Sequence, residues 1–401
     1  MINRLAIHGG KKTRIKKMPP RNAFGANEIR SLKETIKFYE TRKLDPQYKD
    51  KYESKFSNQF NSYMGGGKSI SVSSGTGAVI VAVQALSLKK GSEIIVSPFF
   101  EAGPLSGLIL LGYKTIVADA KRGSFNVDLK QILKKITKKT SAIILVHSAG
   151  DPIDIEPIIK EMKKRNIKVI EDTSQSPGAT YNKKKLGTYG DICAISTMFS
   201  KTLTTCGSGG IVFTNKKKYF NNILAFSDRG KPIWKKNIDR RDPSKNLFPA
   251  FNWNSNEFSA AIAIASLKRL NQTILNRRKI INKISRKLSK LSVVCRGYEF
   301  NTGYSPYYFP IWVKKKKIKC SKKNFAKAII AEGINLNPDY KFLCEDWEWA
   351  QKKIETKIFT PNAKETRENT FNLYVNENFK AREVEDIIKA IIKVEKYYLK
   401  K

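Results

Sequence analysis

Histidine is scarce in this sequence, with only His8 and His147, so a histidine-rich metal centre is excluded. Cysteine is little commoner: Cys193, Cys206, Cys295, Cys320 and Cys344 are odd in number. None falls in a C-x-x-C spacing, and neither a disulfide framework nor a structural zinc site is expected. No uncharged apolar run approaches the ~18–20 residues that a membrane span needs. The basic N-terminus, MINRLAIHGGKKTRIKK, has no apolar segment behind it, so no signal peptide is read there and the cytoplasm is the expected location. Acidic residues are few, 35 against 76 basic ones, leaving a net charge of +41. Such a balance invites a nucleic-acid reading, but that reading needs a localised patch. Here the basic residues are spread out, in short runs such as Lys314 to Lys317, and lysine far outnumbers arginine. No nucleic-acid partner is expected, and the charge suits an anionic small substrate equally well. Fixed-period repeats and low-complexity segments are absent too.

What is present is a globular composition, 41% hydrophobic and 10% aromatic over 401 residues, enough for a substantial core in two or three domains. Residues 1–45 read as an extended arm and a helix. In 46–270, a helix over Lys49–Tyr63 is followed by strands at Ser69–Val72, Glu93–Ser97, Thr115–Ala118, Ala142–Val146, Lys168–Glu171, Ile192–Ser196 and Ile211–Thr214, most of them separated by helical patterns. That alternation predicts an α/β fold with a mostly parallel central sheet flanked by helices, and ligands beyond the carboxyl ends of its strands. From about residue 271 the pattern changes to a smaller α+β unit, 271–401, opening with a helix over Arg278–Leu291.

Three places in this frame carry chemistry. Ser73-Ser74-Gly75-Thr76-Gly77 links a strand to a helix, and small residues at a helix start offer free N–H groups and hydroxyls to a phosphate; a capped strand-to-helix turn is the plainer alternative. The neighbouring GGGKS is not a P-loop, because the required first glycine is Ser62 and a helix precedes it. Asp172, with Thr173, Ser174 and Gln175 behind it, ends a strand where α/β folds bind ligands. It could pair with a protonated ring nitrogen, or cap a helix. Lys201 lies in a Ser/Thr/Gly-rich loop between two strands, outside every charge run, and suits a Schiff base to an aldehyde cofactor.

In order along nearly the whole chain, LAIHGGKK, SVSSGTGAVIVAVQAL, SFNVD, HSAGDPIDIEPI, VIEDTSQSPGATY, KKLGTYGDICAIS, SKTLTTCGSGGIVFTN and FNWNSNEFSAAIAIASLKRL resemble the motifs of the DegT-type sugar aminotransferases. These are a branch of the fold-type-I pyridoxal-phosphate enzymes. The resemblance implies pyridoxal 5'-phosphate held by Lys201, with Asp172 on the pyridine nitrogen and Gln175 near the phenolic oxygen. It also implies phosphate contacts from Gly75, Thr76 and Ser196, and from Asn252 reaching across a homodimer interface. The implied reaction moves an amino group from glutamate or glutamine to a keto-sugar, expected to be nucleotide-linked, in polysaccharide or secondary-metabolite biosynthesis. Two positions depart from the pattern: Glu101 stands where many members stack an aromatic on the ring, and Asn254 where many have arginine. Related enzymes that remove a sugar hydroxyl instead carry histidine at the position of Lys201. A non-catalytic protein that kept the fold is the remaining alternative.

Overall fold

The computed structural model describes residues 4–21, 23–205, 207–235, 237–239 and 241–400; Cys206 lies outside them. Seven strands form the main sheet: β1 (Lys68–Val72), β2 (Glu93–Val96), β3 (Lys114–Val117), β4 (Thr140–Val146), β5 (Lys168–Asp172), β8 (Ile192–Ser196) and β9 (Gly210–Thr214), in the order β1-β9-β8-β5-β4-β2-β3. β6 (Thr180–Tyr181) and β7 (Lys184–Lys185) make a small separate ladder. Strand pairs from β8 through β5, β4 and β2 to β3 are parallel, while β9 runs antiparallel to both β8 and β1. The mostly parallel sheet expected from sequence is therefore present. Central strands such as EIIV and KVIED are buried along most of their length, as strands covered on both faces must be.

Around the sheet lie α1 (Ala26–Arg42), α2 (Lys51–Met64), α3 (Gly75–Ala85), α4 (Ala102–Leu110), α5 (Leu129–Leu133), α6 (Ile155–Lys164) and α7 (Lys217–Ser227). α3 is apolar all round and buries Ala78, Val79, Val81 and Val83 against the sheet. Because β9 alone is reversed, the carboxyl ends of β1, β2, β4, β5 and β8 share one edge. The β8–β9 loop, which carries Lys201, lies at that edge too.

A second sheet, β10 (Cys295–Gly297), β11 (Phe309–Val313), β12 (Leu336–Asn337) and β13 (Thr370–Leu373), is antiparallel throughout. Helices α9 (Lys322–Ala331), α10 (Glu348–Lys353), α11 (Pro361–Glu368) and α12 (Ala381–Tyr398) accompany it. The helix expected to open at Arg278 is corrected: it is the second part of α8 (Glu257–Leu291), which runs unbroken for 35 residues. No glycine or proline interrupts it, so what changes at 271 is the packing partner and not the conformation. Its first half buries Ala260, Ala261 and Ile264 with α1 and α2. Its second half buries Ile281, Ile284 and Leu288 with the second sheet. The N-terminal arm folds back onto this second unit, where Arg14 pairs with Glu383 at 2.9 Å and Asp386 at 2.7 Å.

Asp151 joins the two units behind the β4 loop. Its carboxylate accepts from the Asn301 N–H at 2.7 Å and the Tyr298 hydroxyl at 2.9 Å, and burial pushes its pKa up to about 6. An unfolded aspartate titrates near ~3.9, so the folded chain holds this proton more tightly. The stability this lends is fully present below about pH 4 and is lost as the pH rises through the folded value. Asp151→Asn should flatten that part of the profile, seen as a smaller change in denaturation midpoint between acid and neutral pH than in the parent protein.

Among the described residues no helix is long and apolar enough to cross a membrane, and no cluster of three or more His, Cys, Asp or Glu could hold a metal ion.

Candidate active site

The shared sheet edge gathers the expected residues. At the end of β1, the Ser74 hydroxyl accepts from the Gly77 N–H at 3.0 Å and starts α3. The capping alternative is thus real, but it uses only one of the first N–H groups; those of Gly75 and Thr76 make no bond among the described residues. A Cβ on Gly75 would lie 2.5 Å from the Ser196 Cβ, so only glycine lets the helix start close on the end of β8. Ser196 is fixed there by its N–H, which donates to the Ser174 hydroxyl at 2.8 Å. Gly75→Ala should therefore destabilise the protein by about 1–3 kcal/mol through overpacking. That outweighs the ~1 kcal/mol alanine gains over glycine in a helix; a lowered midpoint in denaturant would show it.

Asp172 is buried, and its carboxylate accepts from the Ser174 N–H at 2.9 Å. Burial raises its pKa, while the Ser174 bonds and then the Lys201 and His147 charges oppose the rise. Gln175 is clamped at both ends: its Oε1 accepts from the Ala149 N–H at 2.8 Å, and its Nε2 donates to the Tyr340 hydroxyl at 3.1 Å. Lys201 is 8% exposed, with its Nζ 4.4 Å from the centre of the Tyr307 ring. It makes no ion pair among the described residues. Lys322, the other buried lysine among the described residues, is held by Asp339 at 3.6 Å.

Glu101 and Asn252 lie at the surface of this edge. Glu101 is exposed, and its carboxylate accepts from the Gly103 N–H at 2.7 Å, capping α4. It does so because a carboxylate one residue before a helix finds free N–H groups. Asn252 lies on the surface with its side chain bonded to Asn254. Its segment is strapped beside the β1 turn by the Ser73 N–H, which donates to the Trp253 carbonyl at 2.7 Å.

Sequence reasoning passed over Tyr307, Tyr340 and Ser174 as contact residues, and His147, which is buried beneath the site with its Nε2 3.5 Å from Glu171. Tyr307 and Tyr340 come from distant segments with no periodic signal; Ser174 was within a quoted motif. A cavity of about 890 Å³ near Asp151 is lined by neither Lys201 nor Asp172. A second, of about 510 Å³, is lined by Ser200 and Tyr307, beside the Lys201 amine.

Compared with known proteins, residues 34–392 match the sequence profile of the DegT/DnrJ/EryC1/StrS aminotransferase family. The chain is 32% identical over 243 residues to a GDP-perosamine synthase of Escherichia coli O157:H7, covering 61% of this chain and 65% of that protein, just under two thirds of its length. It is 28% identical over 302 residues to a GDP-4-keto-6-deoxy-D-mannose 3-dehydratase of Yersinia pseudotuberculosis, covering 71% of this chain and 75% of that one. An aminotransferase structure from Psychrobacter cryohalolentis superposes with a TM-score of 0.87 at 22% identity, over 95% of this chain and 99% of that one; at that identity the likeness is one of fold.

Proposed function

This chain belongs to the DegT/DnrJ/EryC1/StrS aminotransferase family, and from that membership we propose that it is a pyridoxal-phosphate-dependent aminotransferase. Its donor is glutamate or glutamine and its acceptor a nucleotide-linked keto-sugar. The observation that carries the reading is a buried amine with no ion pair among the described residues (Lys201) and, at the same sheet edge, a buried carboxylate (Asp172) within its field.

The cofactor fits the residues present. The open start of α3 and the bare α-carbon of Gly75, with Thr76 and Ser196 beside them, suit a phosphate. Asp172 suits the ring nitrogen and Gln175, through its clamped amide, the phenolic oxygen. When bound, the cofactor supplies an electron sink for the charge left at carbon. Lys201 Nζ takes the proton from the donor's α-carbon and later delivers one to the former carbonyl carbon of the acceptor. Asp172, as the carboxylate, holds the proton on the ring nitrogen, and that opposite charge offsets the burial that otherwise raises its pKa.

Asn252 reaches the phosphate of a second subunit in this reading, making a homodimer with shared sites. Phe251 beside it and Phe199 in the Lys201 loop are 60% and 64% exposed, which supports an interface there. The unit 46–270 binds the cofactor and 271–401 closes on the substrate, with α8 as their common spine. A cytoplasmic location accompanies a nucleotide-sugar acceptor. Lysine at 201, where the sugar-hydroxyl-removing relatives are expected to have histidine, favours transfer.

The test is incubation of the purified protein with L-glutamate and GDP-4-keto-6-deoxy-D-mannose. An aminated sugar with an equal yield of 2-oxoglutarate is expected; a deoxygenated sugar with released ammonia would replace this reading with dehydration.

A further inference from the structure

The cavity of about 510 Å³ beside Lys201 lies between the N-terminal arm and the second sheet, and its wall includes Arg21, Ser200, Arg277, Tyr307, Asn335 and Tyr374. Its two arginines differ. Arg277 is fully engaged: Nε and Nη2 hold Glu377 at 2.9 Å, and Nη1 donates to the Thr202 hydroxyl and the Pro306 carbonyl, each at 3.2 Å. Arg21 donates from Nη1 to the Phe199 carbonyl at 3.1 Å, and its buried Nε has no partner among the described residues. It makes no ion pair among the described residues. Its neighbours are unfavourable as well: burial and the Arg277 charge both lower its pKa, against the Glu377 carboxylate. One carboxylate thus serves two guanidiniums, and the surplus positive charge faces a space of ligand size.

Arg21 is also held in place. Pro19 and Pro20 restrict the backbone before it, and their carbonyls accept from the Asn376 and Asn378 side-chain amides at 2.8 Å each. A buried donor without a partner is costly to a protein in isolation, whereas a preset guanidinium fork matches an oxyanion in two places at once. Ser200 precedes Lys201, and Tyr307 lies under its amine, so a molecule reacting at Lys201 can extend into this cavity.

We propose that Arg21 is the anchor for an oxyanion of the substrate, either a carboxylate of the amino donor or a phosphate of the nucleotide-linked acceptor. The assignment of those two substrates rests on the function proposed above; the anion site itself does not require turnover.

The test is calorimetric titration of the cofactor-loaded protein with two unreactive probes, glutarate and inorganic pyrophosphate. The parent protein should bind at least one, and Arg21→Gln should weaken that binding by about tenfold or more, as loss of a charged hydrogen-bonded pair does. A loss confined to glutarate identifies the donor carboxylate, and one confined to pyrophosphate the acceptor phosphate. Unchanged affinity for both probes in the variant, or no binding of either by the parent, overturns the proposal. Should Arg21→Gln fail to fold, Arg21→Lys decides in the same way: it keeps the charge but not the fork, so weaker binding supports the site and parental binding of both probes rejects it. A protein that never took up pyridoxal phosphate would defeat the function reading, yet the same titrations of the cofactor-free chain would still report on Arg21.

Discussion

Lys201→Ala will cut amino transfer by roughly 10²–10⁴-fold or more, the range a positioned general acid–base contributes, and will remove the visible absorption band of the lysine-linked cofactor. The plain alternative is that Lys201 is one of many solvated lysines. Its burial, with no ion pair among the described residues, argues otherwise. Its position is set by the backbone: the Lys201 N–H donates to the Met198 carbonyl at 2.9 Å, and the Thr205 N–H to the Thr197 carbonyl at 2.8 Å across the loop. Lys322→Ala, at the other buried lysine, should leave the band intact, because that amine is held by Asp339 and the Pro338 carbonyl. A Lys201→Ala protein with an undiminished band would contradict the assignment.

Asp172→Asn will move activity and stability in opposite directions. Amino transfer should fall by roughly 10²–10⁴-fold, since breaking a buried charge pair costs about 3–5 kcal/mol and each 1.36 kcal/mol is a factor of ten. The cofactor-free chain should become more stable at neutral pH. Burial raises the Asp172 pKa, so the stability from its protonated form is fully present below the unfolded value near ~3.9 and is lost as the pH rises through the raised folded value. An asparagine stays neutral throughout and can still accept the Ser174 N–H. Equilibrium unfolding of the cofactor-free proteins, with transfer rates of the loaded ones, separates the effects. A variant less stable at pH 7 and unimpaired in rate would make Asp172 a structural residue only.

The main sheet was legible because buried strands of a parallel sheet are short apolar runs, and Ile192–Ser196 shows the same limits in sequence and structure. Strand ends then point to Asp172, Ser196 and the Lys201 loop without any knowledge of contacts. What was not legible has physical reasons. The join in α8 leaves no backbone signal, because composition changes while helical propensity does not. Helices α10 and α11 and strand β12 are only 6, 8 and 2 residues long, too short for periodicity to register. Arg21 reaches the site because the arm folds back onto the second unit, and Tyr307 and Tyr340 because distant segments close over it; such contacts are set by tertiary packing alone. Glu101 could be placed next to α4, but its capping bond depends on where the helix begins.

In this mechanism one lysine is linked covalently to the cofactor. Reducing the loaded protein with borohydride, digesting it and sequencing the modified peptide by mass spectrometry tests this directly. A single pyridoxyl-phosphate adduct on Lys201 is expected. An adduct on another lysine, or none, would contradict it.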